Sequence, residues 1–493
     1  GGTAGWMAAA ALSRAFSPLP APARPVIKLV ESDAIGTVGV GEATIPPIRQ
    51  FNRSIGLDEA DFMASTGATP KLGIAFEGWM GDGSRYFHGF GDHGPDVQGQ
   101  PYRQHLFRLK AAGRLNSLDR WSVPSVMAAA GRFARPEADP RSILSAYSYA
   151  YHFDAGLFAG RLSTLAQAAG VTRLEGRISA VDTAEDRVRA VQLEDGRRLE
   201  ADLFIDCSGF RGLLIEGALK AGYEDWSRWL PCDRAIAIPT RAARPPDLYT
   251  TARAASAGWC WRIPLQHRVG NGYVYSSAFI EDDAALDELA AGLEGPAEAE
   301  PNRLRFVTGR RRAAWKGNVV ALGLASGFLE PLESTSINLI QTGIGRLLEL
   351  FPDRDFDPVL IAEYNRRTEL EWIGVRDFII AHYHLAARAE GALWAHCRET
   401  PPPDSLTERL SLFRARGEID PTHHDSFREA SWTSVLTGLD LWPQKVAPQV
   451  GGLDLEAVES QANRVSDLIA RATATLPDRL EFLRGVQMKA EAR

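Results

Sequence analysis

Cysteine is scarce in this chain: Cys207, Cys232, Cys260 and Cys397 are the four among 493 residues. None stands in a CxxC pair, so neither a disulfide scaffold nor a zinc or dithiol centre is expected. A reducing compartment, the cytoplasm, is the default. Positive charge is also short. Lysine plus arginine number 55 against 62 aspartates and glutamates, a net charge of −7, which leaves no electrostatic footprint for nucleic acid. No apolar run reaches the roughly 18 residues of a membrane span, so no membrane association is expected. The N-terminus shows no basic stretch followed by an apolar one, so no secretory signal is expected. The ten histidines show no HExxH or comparable ligand spacing, and His423-His424 falls in a polar stretch, so no metal site is expected. No GxSxG elbow offers a serine nucleophile. The cysteines read as buried small hydrophobes.

What is present is ordinary globular composition, 45% hydrophobic and 24% charged. A prior of roughly 150 residues per domain allows two or three domains. No repeat or flexible linker is visible. Gly1 to Phe16 reads as a glycine turn opening into an alanine-rich helix. Val26 to Val30 is a strand-length apolar run ending at Glu31. Gly36 to Pro47 carries too much glycine and proline for regular structure and reads as an ordered loop. Helical periodicity follows at 103–114 and 157–169. Residues 173–183 and 187–194 alternate like half-buried strands, and Asp195-Gly196 is a hairpin signal. The runs 203–209 and 319–323 read as buried strands ending in small-residue turns. A helix is expected over 335–351, and the C-terminal third is mostly helical by periodicity. The fold class expected is mixed α/β.

The opening Gly1-Gly2-Thr3-Ala4-Gly5 matches the second and third glycines of a GxGxxG turn at Gly2 and Gly5. Such a turn lets the backbone approach a pyrophosphate at a helix N-terminus. The first glycine and the first strand would precede residue 1, so the natural chain is expected to begin earlier. Glu31, at the end of the next strand, stands where an acid binds a ribose hydroxyl. An acid there favours an unphosphorylated ribose, hence FAD or NAD. Read alone, these features are also a glycine-rich helix start and a surface glutamate. The order of the later pieces, Asp206-Cys207-Ser208-Gly209 and the strand-loop 317–327, favours FAD.

Several motifs together resemble the flavin-dependent halogenases, whose type members are the tryptophan halogenases. They are GGTAGWMAA at the start, Val40-Gly41-Glu42-Ala43-Thr44-Ile45-Pro46, Lys71 within KLGIAFEGW, Gly258-Trp259-Cys260-Trp261-Arg262-Ile263-Pro264, and 327–335 (GFLEPLEST). The W-x-W-x-I-P signature separates this family from flavin hydroxylases. The resemblance implies an FAD-dependent monooxygenase-like fold: an FAD-binding module with interleaved mixed sheet over 1–350, and a helical, substrate-covering portion over 351–493. It implies a two-component enzyme. A separate NAD(P)H-dependent flavin reductase supplies FADH2, and oxygen and a halide, bromide or chloride, then give hypohalous acid. That acid travels inside the protein to an electron-rich aromatic ring such as an indole. The cofactor residues implied are Gly2, Thr3, Ala4, Gly5, Glu31, Ala43, Ile178, Leu324 and Ile337. Trp259, Trp261 and Ser334 are implied along the passage, and the alternation of the two tryptophans puts them on one strand face.

Lys71 lies in an otherwise apolar stretch. Burial would disfavour its charge, whereas a lone lysine at a strand edge more often snorkels. By resemblance it is the lysine that directs hypohalous acid. Glu333 is by resemblance the carboxylate that assists activation or accepts the ring proton; its position before a helix also suits a capping acid. Glu330 is the second candidate. Thr335 and Ser336 open the helix implied to bind halide through backbone N–H groups. Tryptophan halogenases usually have glycine where this chain has Ser336, and the added side chain favours bromide. The adjacent tyrosines that hold the amino-acid backbone in those enzymes have no counterpart in 431–442, so a ring other than free tryptophan is expected. A single-component FAD-dependent aromatic hydroxylase is the alternative, and a flavin-binding protein without activity is a third reading. A homodimer is the base-rate expectation.

Overall fold

The computed structural model describes residues 1–35, 41–97, 99–388 and 390–491. The chain divides into two units, each built from three separate stretches. One holds Gly1–Ala68, Phe153–Arg228 and Arg305–Trp372; the other holds Thr69–His152, Trp229–Leu304 and Ile373–Arg493.

In the first unit the helix Gly2–Phe16 follows from its alanine run, since alanine is the strongest helix former. Residues Gly5 to Ser13 are buried, and the small side chains let it pack closely on the helices Ala155–Ala168 and Ser336–Glu349. The helix Ala155–Ala168 begins where Asp154 Oδ1 accepts from the amides of Gly156 and Leu157, satisfying two donors that have no partner inside the helix. The strand Lys28–Glu31 pairs in parallel with Thr172–Glu175. It begins two residues later than the apolar run suggests, because Val26 follows a proline and stands 84% exposed. Strand structure breaks after Glu175 and resumes at Ile178–Ala184; Gly176, at φ +154°, makes the break. Ile178–Ala184, Arg187–Leu193 and Arg198–Glu200 form an antiparallel meander, with Gly196 at φ +89° in the expected hairpin turn. Phe204–Asp206 pairs in parallel with Val319–Ala321. Of the stretch expected to be an ordered loop, residues 36–40 lie outside the described residues, and Gly41–Ala43 is a short strand.

The second unit is organised on a seven-stranded sheet. Its order is Asn302–Arg305, Arg234–Arg241, Arg268–Tyr275, Gly258–Pro264, Tyr249–Ala255, Gly73–Glu77 and Arg85–Gly89. The pair Tyr249–Ala255 and Gly73–Glu77 is parallel. Period-two alternation divides the side chains. Cys260, Tyr273, Tyr275, Ile236 and Ile238 pack beneath Ala285 and Leu289 of the helix Asp282–Ala291. Trp259 and Trp261, out of phase with Cys260, lie on the opposite face. From Pro358 onward the regular elements among the described residues are helices, as the periodicity predicts. No helix among the described residues is long and apolar enough to cross a membrane.

Candidate active site

The first unit gathers the residues expected at the cofactor. The amide of Gly2 donates to Glu31 Oε2 at 3.3 Å, and the Trp6 indole N–H reaches the same oxygen at 3.1 Å. Arg173 Nε holds Oε1 at 2.7 Å. The carboxylate is thus pinned against the glycine turn. A Cβ on Gly1 would meet Glu31 Oε2 at 2.1 Å, so only glycine allows this approach. Gly5 faces Leu29 and Cys207, and Gly323 comes within 3.0 Å of Ala4 measured from an added Cβ. The start of the first helix, the end of strand Phe204–Asp206 and the turn after Val319–Ala321 therefore converge, with Leu324 in that turn. This cradle of bare backbone fits FAD. Gly2, Thr3, Ala4 and Gly5 would face the pyrophosphate at the helix N-terminus. Glu31 would take the ribose hydroxyls through Oε1, which keeps acceptor capacity beyond its bond to Arg173. Ala43 ends the strand Gly41–Ala43, and Ile337 is the second residue of helix Ser336–Glu349. Ile178 packs instead into a small core with Val188, Val191 and Ile215.

Further along the same unit, Glu330, Glu333 and Thr335 are all fully buried. Glu333 closes a single helical turn, Pro331–Glu333. Ser334 then takes a left-handed conformation, φ +59°, which turns the chain sharply into the helix Ser336–Glu349. The first amides of a helix have no intrahelical partner and carry its positive dipole end. The Thr335 hydroxyl has no hydrogen-bond partner either. Donors without charge, in a buried corner, suit a halide ion.

Lys71 and the two tryptophans belong to the second unit. Lys71 is 0% exposed, so it does not snorkel. It ends the strand Thr69–Lys71, which pairs antiparallel with its neighbour in the register Thr69 to His152 and Lys71 to Ala150. Its ammonium lies 5.2 Å from the centre of the Phe90 ring. His152 bonds Thr69 at Nδ1 and Thr250 at Nε2, both at 3.0 Å. Burial, with Lys71 and Arg262 adding like charge, holds this imidazole well below its ordinary pKa. Trp259 and Trp261 share a face as expected, their ring centres 6.2 Å apart, and the Trp261 indole N–H has no hydrogen-bond partner.

Sequence reasoning missed an aromatic cluster in this unit. Phe378 stacks on Phe427 at 3.9 Å and meets Trp432 edge-on at 4.7 Å. His88 lies 5.7 Å from Phe378 and 6.0 Å from Phe90. Trp432 sits on the helix Glu429–Gly438, within the stretch expected near the substrate. Its indole N–H and the Thr433 hydroxyl are buried without hydrogen-bond partners. The signal for this cluster is only the coincidence of aromatics in three distant stretches. By contrast, a charged cavity of about 480 Å3 lined by Glu77, Arg85, Arg253 and Glu288 contains none of the expected site residues. Arg253 pairs with Cys260, so that cavity adjoins the sheet face away from the tryptophans. Burial pushes the thiols of Cys207 and Cys260 up to about 12, which removes both as nucleophiles. No group of three metal-binding side chains occurs among the described residues.

Comparison with known proteins agrees with this arrangement. The family model described as tryptophan halogenase matches residues 1–454. The tryptophan 6-halogenase SttH of Streptomyces toxytricini is 34% identical, over 98% of this chain and 96% of its own length. The solved structure of BrvH, a flavin-dependent halogenase from Brevundimonas sp. BAL3, superposes with a TM-score of 0.94 at 46% identity, covering 99% of this chain and 97% of that one. A flavin-dependent halogenase from Xanthomonas campestris gives 0.94 at 45% identity, with the same coverage. These structures carry the FAD-binding fold, and the hydroxylase alternative is not favoured. The chain belongs to the tryptophan halogenase family and is a two-component, FADH2-dependent halogenase, an enzyme that takes reduced flavin from a partner reductase and halogenates an aromatic substrate.

Proposed function

We propose that Lys71 and Glu333 are the catalytic residues and that the substrate is an electron-rich ring of the indole class other than free tryptophan. The observation that carries this reading is a lysine buried completely on a short strand, its ammonium against an aromatic ring. Bound reduced FAD, with dioxygen, supplies the two-electron oxidation that turns halide into hypohalous acid. Thr335 and Ser336 hold the halide through backbone amides. Trp259, Trp261 and Ser334 line the passage. The Lys71 ammonium binds the oxygen of hypohalous acid. As the ring's π electrons form the carbon–halogen bond, the halogen–oxygen bond breaks and that oxygen leaves as water with a proton from Lys71. The ring then gives its own proton to the Glu333 carboxylate, and the net products are the aryl halide and water. A buried carboxylate suits this role because it stabilises the cationic ring before accepting its proton.

The relatives named for tryptophan support the indole ring class. The stretch 431–442 offers Trp432, Thr433 and Ser434, with no adjacent tyrosines, which supports a ring without an amino-acid backbone. Two further features complete the proposal: a cytoplasmic setting, supported by the scarcity of cysteine, four in 493 residues, and a homodimer.

The test is a turnover assay with FAD, a flavin reductase, NADH, oxygen and indole, run with bromide and with chloride, and with tryptophan in parallel. Halogenated indole from the wild type, none from Lys71→Ala, and little from tryptophan are expected. A Lys71→Ala enzyme with wild-type turnover would sink the catalytic assignment. Tryptophan turned over faster than indole would sink the substrate assignment.

A further inference from the structure

The strand that carries Lys71 is weakly built. It has three residues, and the middle one is Pro70, which has no N–H to give to a ladder. Side chains supply what the backbone lacks. The Thr69 hydroxyl lies 2.6 Å from the carbonyl oxygen of Pro264 and 3.0 Å from His152 Nδ1. The other ring nitrogen, Nε2, lies 3.0 Å from the Thr250 hydroxyl. Thr69, His152 and Thr250 are all buried, so water does not compete for these bonds.

Proton counting settles which atom donates. The Pro264 carbonyl only accepts, so the single hydroxyl proton of Thr69 points to it. Thr69 Oγ then faces His152 as an acceptor, and Nδ1 must carry the ring proton. A neutral imidazole has one N–H, which leaves Nε2 bare to accept from Thr250. His152 is therefore held as one neutral tautomer by two threonines, 83 and 98 residues away in the chain. The charged groups around it are Lys71 and Arg262. Arg262 is itself paired with Asp247 at 2.9 Å and with Glu294 at 3.0 Å. A protonated His152 would set a second charge beside the buried Lys71 and give Nδ1 and Nε2 a donor each, which the Thr250 hydroxyl meets only by turning its proton elsewhere.

We propose that His152, locked as the neutral Nδ1–H tautomer between Thr69 and Thr250, is a positioning residue that fixes the Lys71 strand and so aims the Lys71 ammonium. This rests on the reading of Lys71 as the residue that directs hypohalous acid. Loosening His152 leaves oxidant production intact and spoils its delivery. Hypohalous acid then leaks to solvent instead of reaching the ring.

The experiment measures where the oxidant goes. Wild type, His152→Phe, His152→Asn, Thr250→Val and Lys71→Ala are assayed for halogenated indole and for halogenation of a soluble 1,3-diketone that traps escaped hypohalous acid. FAD affinity and NADH consumption are followed in each. His152→Phe keeps the ring shape without either hydrogen bond. It is expected to lose about tenfold in aryl halide, equivalent to about 1.4 kcal/mol in the barrier, with a matching rise in trapped oxidant and unchanged FAD affinity. The asparagine amide N–H stands near the place of Nδ1–H, so His152→Asn is expected to recover most of the product. Should His152→Phe not fold, Thr250→Val, which removes only the donor to Nε2, is expected to shift the same partition by about threefold. Selective 15N-histidine NMR reads the tautomer directly and should show Nδ1–H with bare Nε2 from pH 6 to 9. An Nε2–H tautomer, a charged ring, or a product-to-trap ratio that His152→Phe and Thr250→Val leave unchanged overturns the proposal. If Lys71→Ala itself keeps full product, the failure lies in the Lys71 reading; if Lys71→Ala is inactive and the His152 partition is normal, it lies here.

Discussion

The indole of Trp261 lies directly over Gly272 on the adjacent strand. A Cβ at Gly272 would stand 2.0 Å from Trp261 Cζ2 and 2.5 Å from the Ile236 carbonyl oxygen. These two residues are paired in register. The glycine serves space, not backbone freedom, since its φ is not among the positive values. Gly272→Ala is therefore expected to push Trp261 out of place. Overpacking of this kind costs about 1–3 kcal/mol, seen as a lower urea midpoint with unchanged slope. Aryl halide formation should fall with it. A variant with wild-type stability and turnover would mean that the Trp261 ring position carries no function.

Ser336 begins the helix proposed to hold halide. Removing its side chain opens the corner without touching the amides. With equal bromide and chloride present, Ser336→Gly is expected to raise the chlorinated share of product about fivefold, a differential of about 1 kcal/mol. An unchanged ratio would separate halide choice from this position.

Glu42 gives a pH signature. Burial, with Asp154 adding like charge, raises its carboxyl from 4.5 to about 7. The folded protein then binds a proton that the unfolded chain releases near 4.5, so stability falls as pH rises. This contribution is fully present below pH 4.5 and lost as pH passes through about 7. The size is on the order of 3 kcal/mol at most. Urea unfolding of the wild type between pH 5 and 8 should decline relative to Glu42→Gln, whose curve lacks this slope. Parallel curves would show that Glu42 keeps its ordinary value in the fold.

Glu31 is expected to hold both the glycine turn and the cofactor ribose. Loss of one charge-assisted hydrogen bond is worth about 1.5–3 kcal/mol. Glu31→Ala should raise the FAD dissociation constant about tenfold to a hundredfold, measured by quenching of flavin fluorescence. Glu31→Gln should fall between. If FAD affinity is unchanged while the melting temperature drops, the carboxylate serves only Gly2, Trp6 and Arg173.

Elements governed by neighbours in sequence were legible from the residues alone. The alanine run specifies the helix Gly2–Phe16, Asp195-Gly196 specifies its hairpin, and the spacing of Trp259 and Trp261 places both on one strand face. The apolar setting of Lys71 left burial and snorkelling open until the fold enclosed it. The motif order also carried the family, because glycine turns, a terminal acid and W-x-W-x-I-P are local chemistry. Tertiary structure decided what depends on partners far along the chain. A glycine- and proline-rich stretch holds the strand Gly41–Ala43 because pairing, which composition does not report, extends it. Gly272 matters only because register sets it under Trp261. Phe378, Phe427 and Trp432 become one cluster only when the helix Pro358–Leu385 packs on the helix Glu429–Gly438 and the segment that leads into it. His152 carries no motif; Thr69 and Thr250 reach it from two other strands, Pro264 accepts from Thr69 on a third, and the direction of that single hydroxyl proton fixes the tautomer. Sequence determined which residues could do chemistry, since side-chain type and local spacing are written in it; the fold determined their proton and packing partners, since hydrogen bonding and burial act between residues that only folding brings together.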